Sequence, residues 1–205
     1  MSRVAIVYLG LSNVASVQRA LEDVGADAFV AYRPSYLSTA DKLLFPGVGS
    51  FAQAMQLLNQ DDWLDALSSN VLVQKKPILG ICLGMQLLME RGFEGGDIQG
   101  LGYLDGYVDH LSRMHCQEAV PHVGWNEVHP QLTHPLFANI PSGKDFYFVH
   151  SYAVTLANSS NLLASTDYGI GFASAIAQDN IMGVQFHPEK SGKFGLQLLS
   201  NFVRL

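Results

Sequence analysis

The sequence predicts an α/β fold: an open, mostly parallel sheet flanked by helices, with antiparallel strands in the second half. Three observations predict it. Short runs of Val, Ile and Leu alternate with segments of helical period through the first half, as βαβ units do. Those apolar runs show no polar alternation, as expected of strands buried on both faces. Beyond a Gly-rich stretch at 92–106 the pattern changes to short alternating strands punctuated by Gly, Pro and His, which reads as antiparallel hairpins on the sheet edge.

Residues 3–9 read as the first strand, and Gly10-Leu11-Ser12-Asn13 turns it into a helix with Ser12 or Asn13 as N-cap. Val14, Val17, Leu21 and Val24 recur at helical spacing, and Gly25 ends that helix. Residues 27–32 and 41–45 give the second and third strands. A helix over roughly 51–70 follows, with Met55, Leu58, Trp63, Leu64 and Leu67 inward and a break expected at 59–62. Pro77 opens a fourth strand ending at Cys82, and Met85, Leu87, Leu88 and Met89 are expected to continue as helix. Residues 146–149 and 181–186 are later strands, and Phe194, Leu198, Leu199 and Phe202 mark a closing helix. With no internal repeat, low-complexity stretch or linker, residues 1–205 are expected to form a single domain.

Composition narrows the function. The formal net charge is −6 and no basic stripe interleaves with aromatics, so nucleic-acid binding has no support. No apolar run reaches the roughly 18 residues of a membrane helix. The first residues carry no signal-peptide pattern, and Cys82 and Cys116 make no disulfide framework, so a reducing, cytoplasmic setting is expected.

The chemistry centres on residues 78–86, Ile-Leu-Gly-Ile-Cys-Leu-Gly-Met-Gln. Gly80 and Gly84 flank Cys82 in the pattern of a strand-to-helix nucleophile elbow, with Cys in the place of Ser. A Cβ at either glycine would collide with backbone as the chain reverses. The following helix N-terminus favours a thiolate. A merely structural buried thiol would need neither glycine. Gln86 lies one turn on, on the same face. Pro46-Gly47-Val48-Gly49-Ser50-Phe51 follows the third strand, where backbone N–H groups at the carboxyl edge of a parallel sheet can face a ligand.

Of seven histidines, His110, His129 and His134 read as surface residues. His115, Cys116 and His122 fit no compact ligand pair, so no metal is expected. His187 differs: it ends an apolar strand, as Cys82 does, so the two can meet at one sheet edge. Glu189 is two residues on, with Pro188 stiffening the link. A carboxylate that near can hold the imidazole in the tautomer that takes a thiol proton.

PGVGSF at 46–51, GICLGMQ at 80–86 and GVQFHPEKS at 183–191 resemble the class I, triad-type glutamine amidotransferases. PHVGWNE at 121–127 and FVHSY at 148–152 resemble, within that family, the glutaminase subunits of imidazole glycerol phosphate synthases. The resemblance implies that Cys82 attacks the glutamine side-chain amide, with His187 as base and Glu189 orienting it. It implies that the backbone N–H groups of Leu83 and of the Val48 loop hold the oxyanion. Gly49, Gln86, Glu94, His150, Ser151 and Tyr152 would contact glutamine. No cofactor is implied. The ammonia would pass to a (β/α)₈-barrel cyclase subunit, making a heterodimer that yields imidazole glycerol phosphate and an aminoimidazole carboxamide ribotide. Trp125, Asn126 and Lys190 resemble interface residues, and an exposed Trp suits a hot spot better than the core.

Two departures stand out. Ser12 occupies a usual glycine position, and Glu118-Ala119 stand where a basic residue is common. They bear on which partner is served, so a paralogous glutaminase feeding a surface-sugar amidotransferase is the alternative. Anthranilate and aminodeoxychorismate acceptors fit the 121–127 and 148–152 stretches poorly. A catalytically silent regulatory subunit would not need Cys82, His187 and Glu189 together.

Overall fold

A computed structural model describes residues 1–10 and 14–205. The N-cap expected at Ser12 or Asn13, and the Ser12 departure, lie outside the described residues. The first half runs β1 (Arg3–Val7), α1 (Val14–Asp23), β2 (Asp27–Ala31), β3 (Lys42–Gly47), α2 (Phe51–Leu58), α3 (Trp63–Ser68), β4 (Ile78–Cys82) and α4 (Leu83–Leu87). The second half runs β5 (Met89–Gly92), β6 (Ile98–Gln99), β7 (Leu104–His110), β8 (His122–Pro130), β9 (Lys144–His150) and β10 (Tyr152–Leu156). It closes with β11 (Leu162–Asp167), β12 (Gly171–Gln178), β13 (Ile181–Val184) and α5 (Gly192–Arg204).

The sheet order is β2-β1-β3-β4-β13-β12-β10-β7-β5-β6. From β2 to β13 neighbours are parallel; β12, β10 and β7 then follow antiparallel, while β5 lies parallel to β7. β8 and β9 form an antiparallel pair joined to the sheet through β11. This is the expected α/β architecture, with one parallel pair inside the otherwise antiparallel half.

The strand period of two explains the burial. In β1, Val4 and Ile6 belong to the core under α1 and α5, while Ala5 and Val7 belong to the core under α2 and α4. All four are fully buried, so an unbroken apolar run is what this strand requires. α1 ends as its glycine predicts. Gly25 adopts φ +88°, its N–H donates to Glu22 O, and the Ala26 N–H donates to Leu21 O at 3.0 Å. α2 is capped twice. Ser50 Oγ accepts from the Gln53 N–H at 3.2 Å, and Glu94 Oε2 accepts from the Phe51 N–H at 2.8 Å. The break at 59–62 is present: Asp61 and Asp62 take positive φ and split the expected helix into α2 and α3.

One expectation fails. The helix after Cys82 stops at Leu87, and Met89 begins β5. Leu83, Met85, Leu87, Leu88 and Met89 are all buried, so neither the helical nor the strand period is visible in them. Tertiary pairing decides. The N–H groups of Gly100, Leu101, Gly102 and Tyr103 donate to the carbonyls of Glu90, Leu87, Met89 and Leu88, which a longer helix would have used internally.

α5 docks with Leu198, Leu199 and Phe202 buried and Phe194 at the rim of the same core. Phe202→Ala is expected to lower stability by about 3–5 kcal/mol, read as a lower urea midpoint with an unchanged denaturant slope.

Candidate active site

Strand register builds the site. β3 pairs with β4 with Gly47 opposite Cys82, and β4 pairs with β13 with Ile81 opposite Val184. The 47–51 loop, Cys82 and His187 therefore emerge together from the carboxyl edge of the parallel strands. That edge is the expected ligand position in such sheets.

Cys82 sits at φ +54°, ψ −109°, a conformation costly for any residue with a Cβ. The neighbouring glycines are what permit it. A Cβ on Gly84 would run into the Phe45 carbonyl oxygen, and one on Gly80 would lie 2.6 Å from the Gly84 carbonyl carbon and the Met85 nitrogen. β4 and α4 therefore pack backbone on backbone, and the Cys82 side chain is left at the turn. Its Sγ–H points weakly to Val149 O at 3.9 Å, and Gln185 Nε2 donates to Sγ at 3.5 Å.

His187 is 3% exposed, and its Nδ1–H donates to Glu189 Oε1 at 2.8 Å. The two side chains are each 4% exposed. Among the described residues His187 Nε2 has no hydrogen-bond partner, so that nitrogen is available for proton transfer. Burial alone would lower the His187 pKa. The interactions with Cys82 and with the Glu189 carboxylate outweigh it and push the value up to about 9.

A cavity of about 300 Å³ opens over Cys82. Its walls include Val48, Gly49, Leu83, Gln86, Glu94, His150, Ser151 and Tyr152, so the structure gathers the sequence-derived oxyanion and substrate residues around one space. Pro121 and Val149 complete the lining. Besides Glu94, whose Oε2 caps α2, two of these residues have side chains tied up internally. Gln86 Nε2 donates to Tyr152 O at 2.9 Å and to Gln185 Oε1 at 3.0 Å, which leaves its own oxygen uncommitted. His150 uses both ring nitrogens internally, towards Tyr152 O at 2.9 Å and His122 at 3.0 Å, so it offers the cavity only its ring and backbone. Burial pushes the His150 pKa down to about 3 and the His122 pKa down to about 4, so both rings are neutral at physiological pH.

The three residues read as partner contacts lie beyond the cavity. Trp125 is 58% exposed, with its ring edge-on to Tyr147 at 6.1 Å, and Lys190 Nζ sits 5.7 Å from the Tyr147 ring centre. Asn126 is turned inward: its amide donates to Asp167 O at 2.9 Å and lies 3.3 Å from His122 Nε2.

Sequence reasoning missed Gln185 and His122. Both are buried polar residues, Gln185 fully and His122 at 1% exposure. The available signal was a glutamine inside an apolar strand run, since a buried polar side chain marks a specific partner. His122 and Cys116 both contact Tyr168: the His122 ring stacks on it at 3.9 Å, while Cys116 donates its S–H to Tyr168 O at 3.0 Å. No metal-type cluster is present among the described residues.

A thiol at a strand-to-helix turn, a carboxylate-held imidazole and a polar cavity lie together at one sheet edge. The family model described as glutamine amidotransferase class-I matches residues 5–205, and the chain belongs to that family. Within it, curated relatives of high identity are named imidazole glycerol phosphate synthase subunit HisH. The chain is 46% identical to HisH 1 of Campylobacter jejuni, covering 98% of this chain and all of that one. It is 43% identical to HisH 2 of Pseudomonas aeruginosa, covering 98% and 99%. PurLQS from Thermotoga maritima shares the fold at TM-score 0.79 and 16% identity, covering 100% of this chain and 99% of that one.

The raised His187 value fixes a pH dependence. A folded pKa near 9 against an ordinary 6.5 adds stability that is full below pH 6.5 and is lost as pH rises through about 9. In Glu189→Gln the rise shrinks, so urea midpoints are expected to fall less over that window than in the parent protein. His122 and His150 act in the opposite sense: their contribution is present above pH 6.5 and is lost as pH falls towards 4 and then 3.

Proposed function

We propose that the chain hydrolyses glutamine to glutamate and ammonia through a thioester at Cys82. The thiol proton passes to His187, whose raised pKa holds it, and the sulfur attacks the side-chain amide carbon as a thiolate. The oxyanion is held by the N–H groups of Leu83 and Val48. His187 then gives its proton to the departing nitrogen, and ammonia leaves. Water attacks the thioester with His187 again as base, and glutamate leaves as the sulfur regains a proton. Glu189 keeps Nδ1 protonated and Nε2 facing the chemistry. Gly49, Gln86, Glu94, His150, Ser151 and Tyr152 bind glutamine, with the Glu94 carboxylate suited to its α-ammonium group.

The observation that carries this reading is the buried 2.8 Å His187–Glu189 pair at the same sheet edge as a positive-φ cysteine. A sheltered carboxylate next to imidazole is costly unless the ring spends part of its cycle charged. Acyl transfer from an amide needs that charged state.

The relatives' names support delivery of the ammonia to a cyclase subunit of imidazole glycerol phosphate synthase, for histidine biosynthesis. Ammonia protonated by water is no nucleophile, which favours a closed route between two proteins. Exposed Trp125 and Lys190, each set against Tyr147, support a docking role for that surface. A second reading, a surface-sugar amidotransferase as acceptor, is favoured by exposed Glu118 next to β8, where the family commonly carries a basic residue. It shares every step at Cys82. Complementation of a histidine auxotroph separates the two.

Cys82→Ala in the complex is expected to abolish glutamine-dependent synthesis and to leave ammonia-dependent synthesis intact. Loss of both would contradict the assignment. Trp125→Ala is expected to weaken binding of the cyclase subunit by about tenfold or more, equivalent to about 1.4 kcal/mol, measured by titration calorimetry.

A further inference from the structure

We propose that Gln185 is a further catalytic residue, whose side-chain amide donates a hydrogen bond to the Cys82 sulfur and favours its charged, attacking form. The inference rests on Cys82 being the nucleophile proposed above.

The direction of that hydrogen bond follows from one atom. The Tyr152 carbonyl oxygen can only accept. Gln86 Nε2 approaches it at 2.9 Å, so the Gln86 amide must present its NH₂ group there. The second N–H of the same nitrogen then meets Gln185 at 3.0 Å, and the Gln185 atom facing it must be the acceptor, Oε1. That leaves Gln185 Nε2 for the sulfur, 3.5 Å away. A flipped Gln185 would set two NH₂ groups against each other and two acceptors, Oε1 and Sγ, against each other. Gln185 is 0% exposed, so water does not compete for the donor.

The same carbonyl is held from its other side. His150 Nδ1–H donates to it at 2.9 Å, which makes His150 Nε2 an acceptor for His122 Nδ1–H at 3.0 Å. His122 Nε2 then accepts from Asn126 at 3.3 Å. His122 and Asn126 are positioning residues in this arrangement. They fix the Tyr152 carbonyl, and the carbonyl fixes the two glutamine amides.

A thiolate is a stronger acceptor than a thiol, so an N–H donor lowers the cost of losing the thiol proton. The neutral thiol has a separate outlet, its weak S–H contact to Val149 O. The other titratable groups around Cys82 are His187 with Glu189 behind it, and Glu94, His150 and Tyr152 on the cavity wall. None of them is altered in the variants below.

The test is the pH dependence of Cys82 alkylation by iodoacetamide in the full-length subunit, read for each cysteine separately by mass spectrometry. The probe needs no glutamine and no partner. Gln185→Met removes the donor at similar volume and is expected to slow Cys82 alkylation about tenfold at neutral pH, with the titration midpoint displaced upwards. Gln185→Glu turns a carboxylate oxygen to the sulfur and is expected to slow it further. Gln86→Leu frees the Gln185 amide to rotate and is expected to give a smaller displacement in the same direction. A Gln185→Met profile that coincides with the parent, in a protein with native circular dichroism, would overturn the proposal. If that variant does not fold, an unchanged profile in Gln86→Leu does the same. Such a result, together with the expected Cys82→Ala behaviour, would remove Gln185 and leave the glutaminase reading standing.

Discussion

Everything at this site depends on a contact between two stretches of bare backbone. α4 begins so close to β3 and β4 that no side-chain carbon fits at Gly84 or Gly80. That proximity forces the turn at Cys82 into a positive φ, and the turn holds the sulfur at the cavity floor. Loosen the contact and Cys82 relaxes into an ordinary strand or helix residue. His187 would then have nothing to act upon. The precision of the site comes from packing of main chain, and the polar side chains add direction to a position already set.

Direction is supplied by buried acceptors that cannot change roles. Glu189 fixes the proton on one nitrogen of His187, and the Tyr152 carbonyl fixes the orientation of Gln86 and His150. Each is an oxygen that accepts in these hydrogen bonds. Groups that could face either way therefore face one way. Neutral His122 and His150 fit this arrangement, because a second proton on His150 would break the N–H···N bond from His122, and one on His122 would remove the nitrogen that accepts from Asn126.

Much of this was readable from residues. The first four strands, the break between α2 and α3, and the placing of Cys82 and His187 at one sheet edge follow from local pattern, because parallel strands share a carboxyl edge. The end of α4 was not readable. Every residue from Leu83 to Met89 is buried, Gln86 included, and a uniformly buried run carries no period. The pairing of residues 100–104 with 87–90 decides it, and that is a contact across the chain. Gln185 and His122 were hidden for a related reason. Their importance lies in whom they touch, and a sequence position does not show its neighbours. Asn126 shows the same limit: it stands beside exposed Trp125 in the chain, yet its amide faces inward.

The backbone at Cys82 has a consequence for how this protein stands among its own possible sequences. At φ +54° a side chain of any kind costs on the order of 1–3 kcal/mol. Glycine would adopt the same turn without that strain. A chain shaped for endurance alone would therefore carry glycine at position 82. The cysteine marks a place where the proposed chemistry and durability pull in opposite directions, the fold carrying tension to hold one sulfur against the cavity.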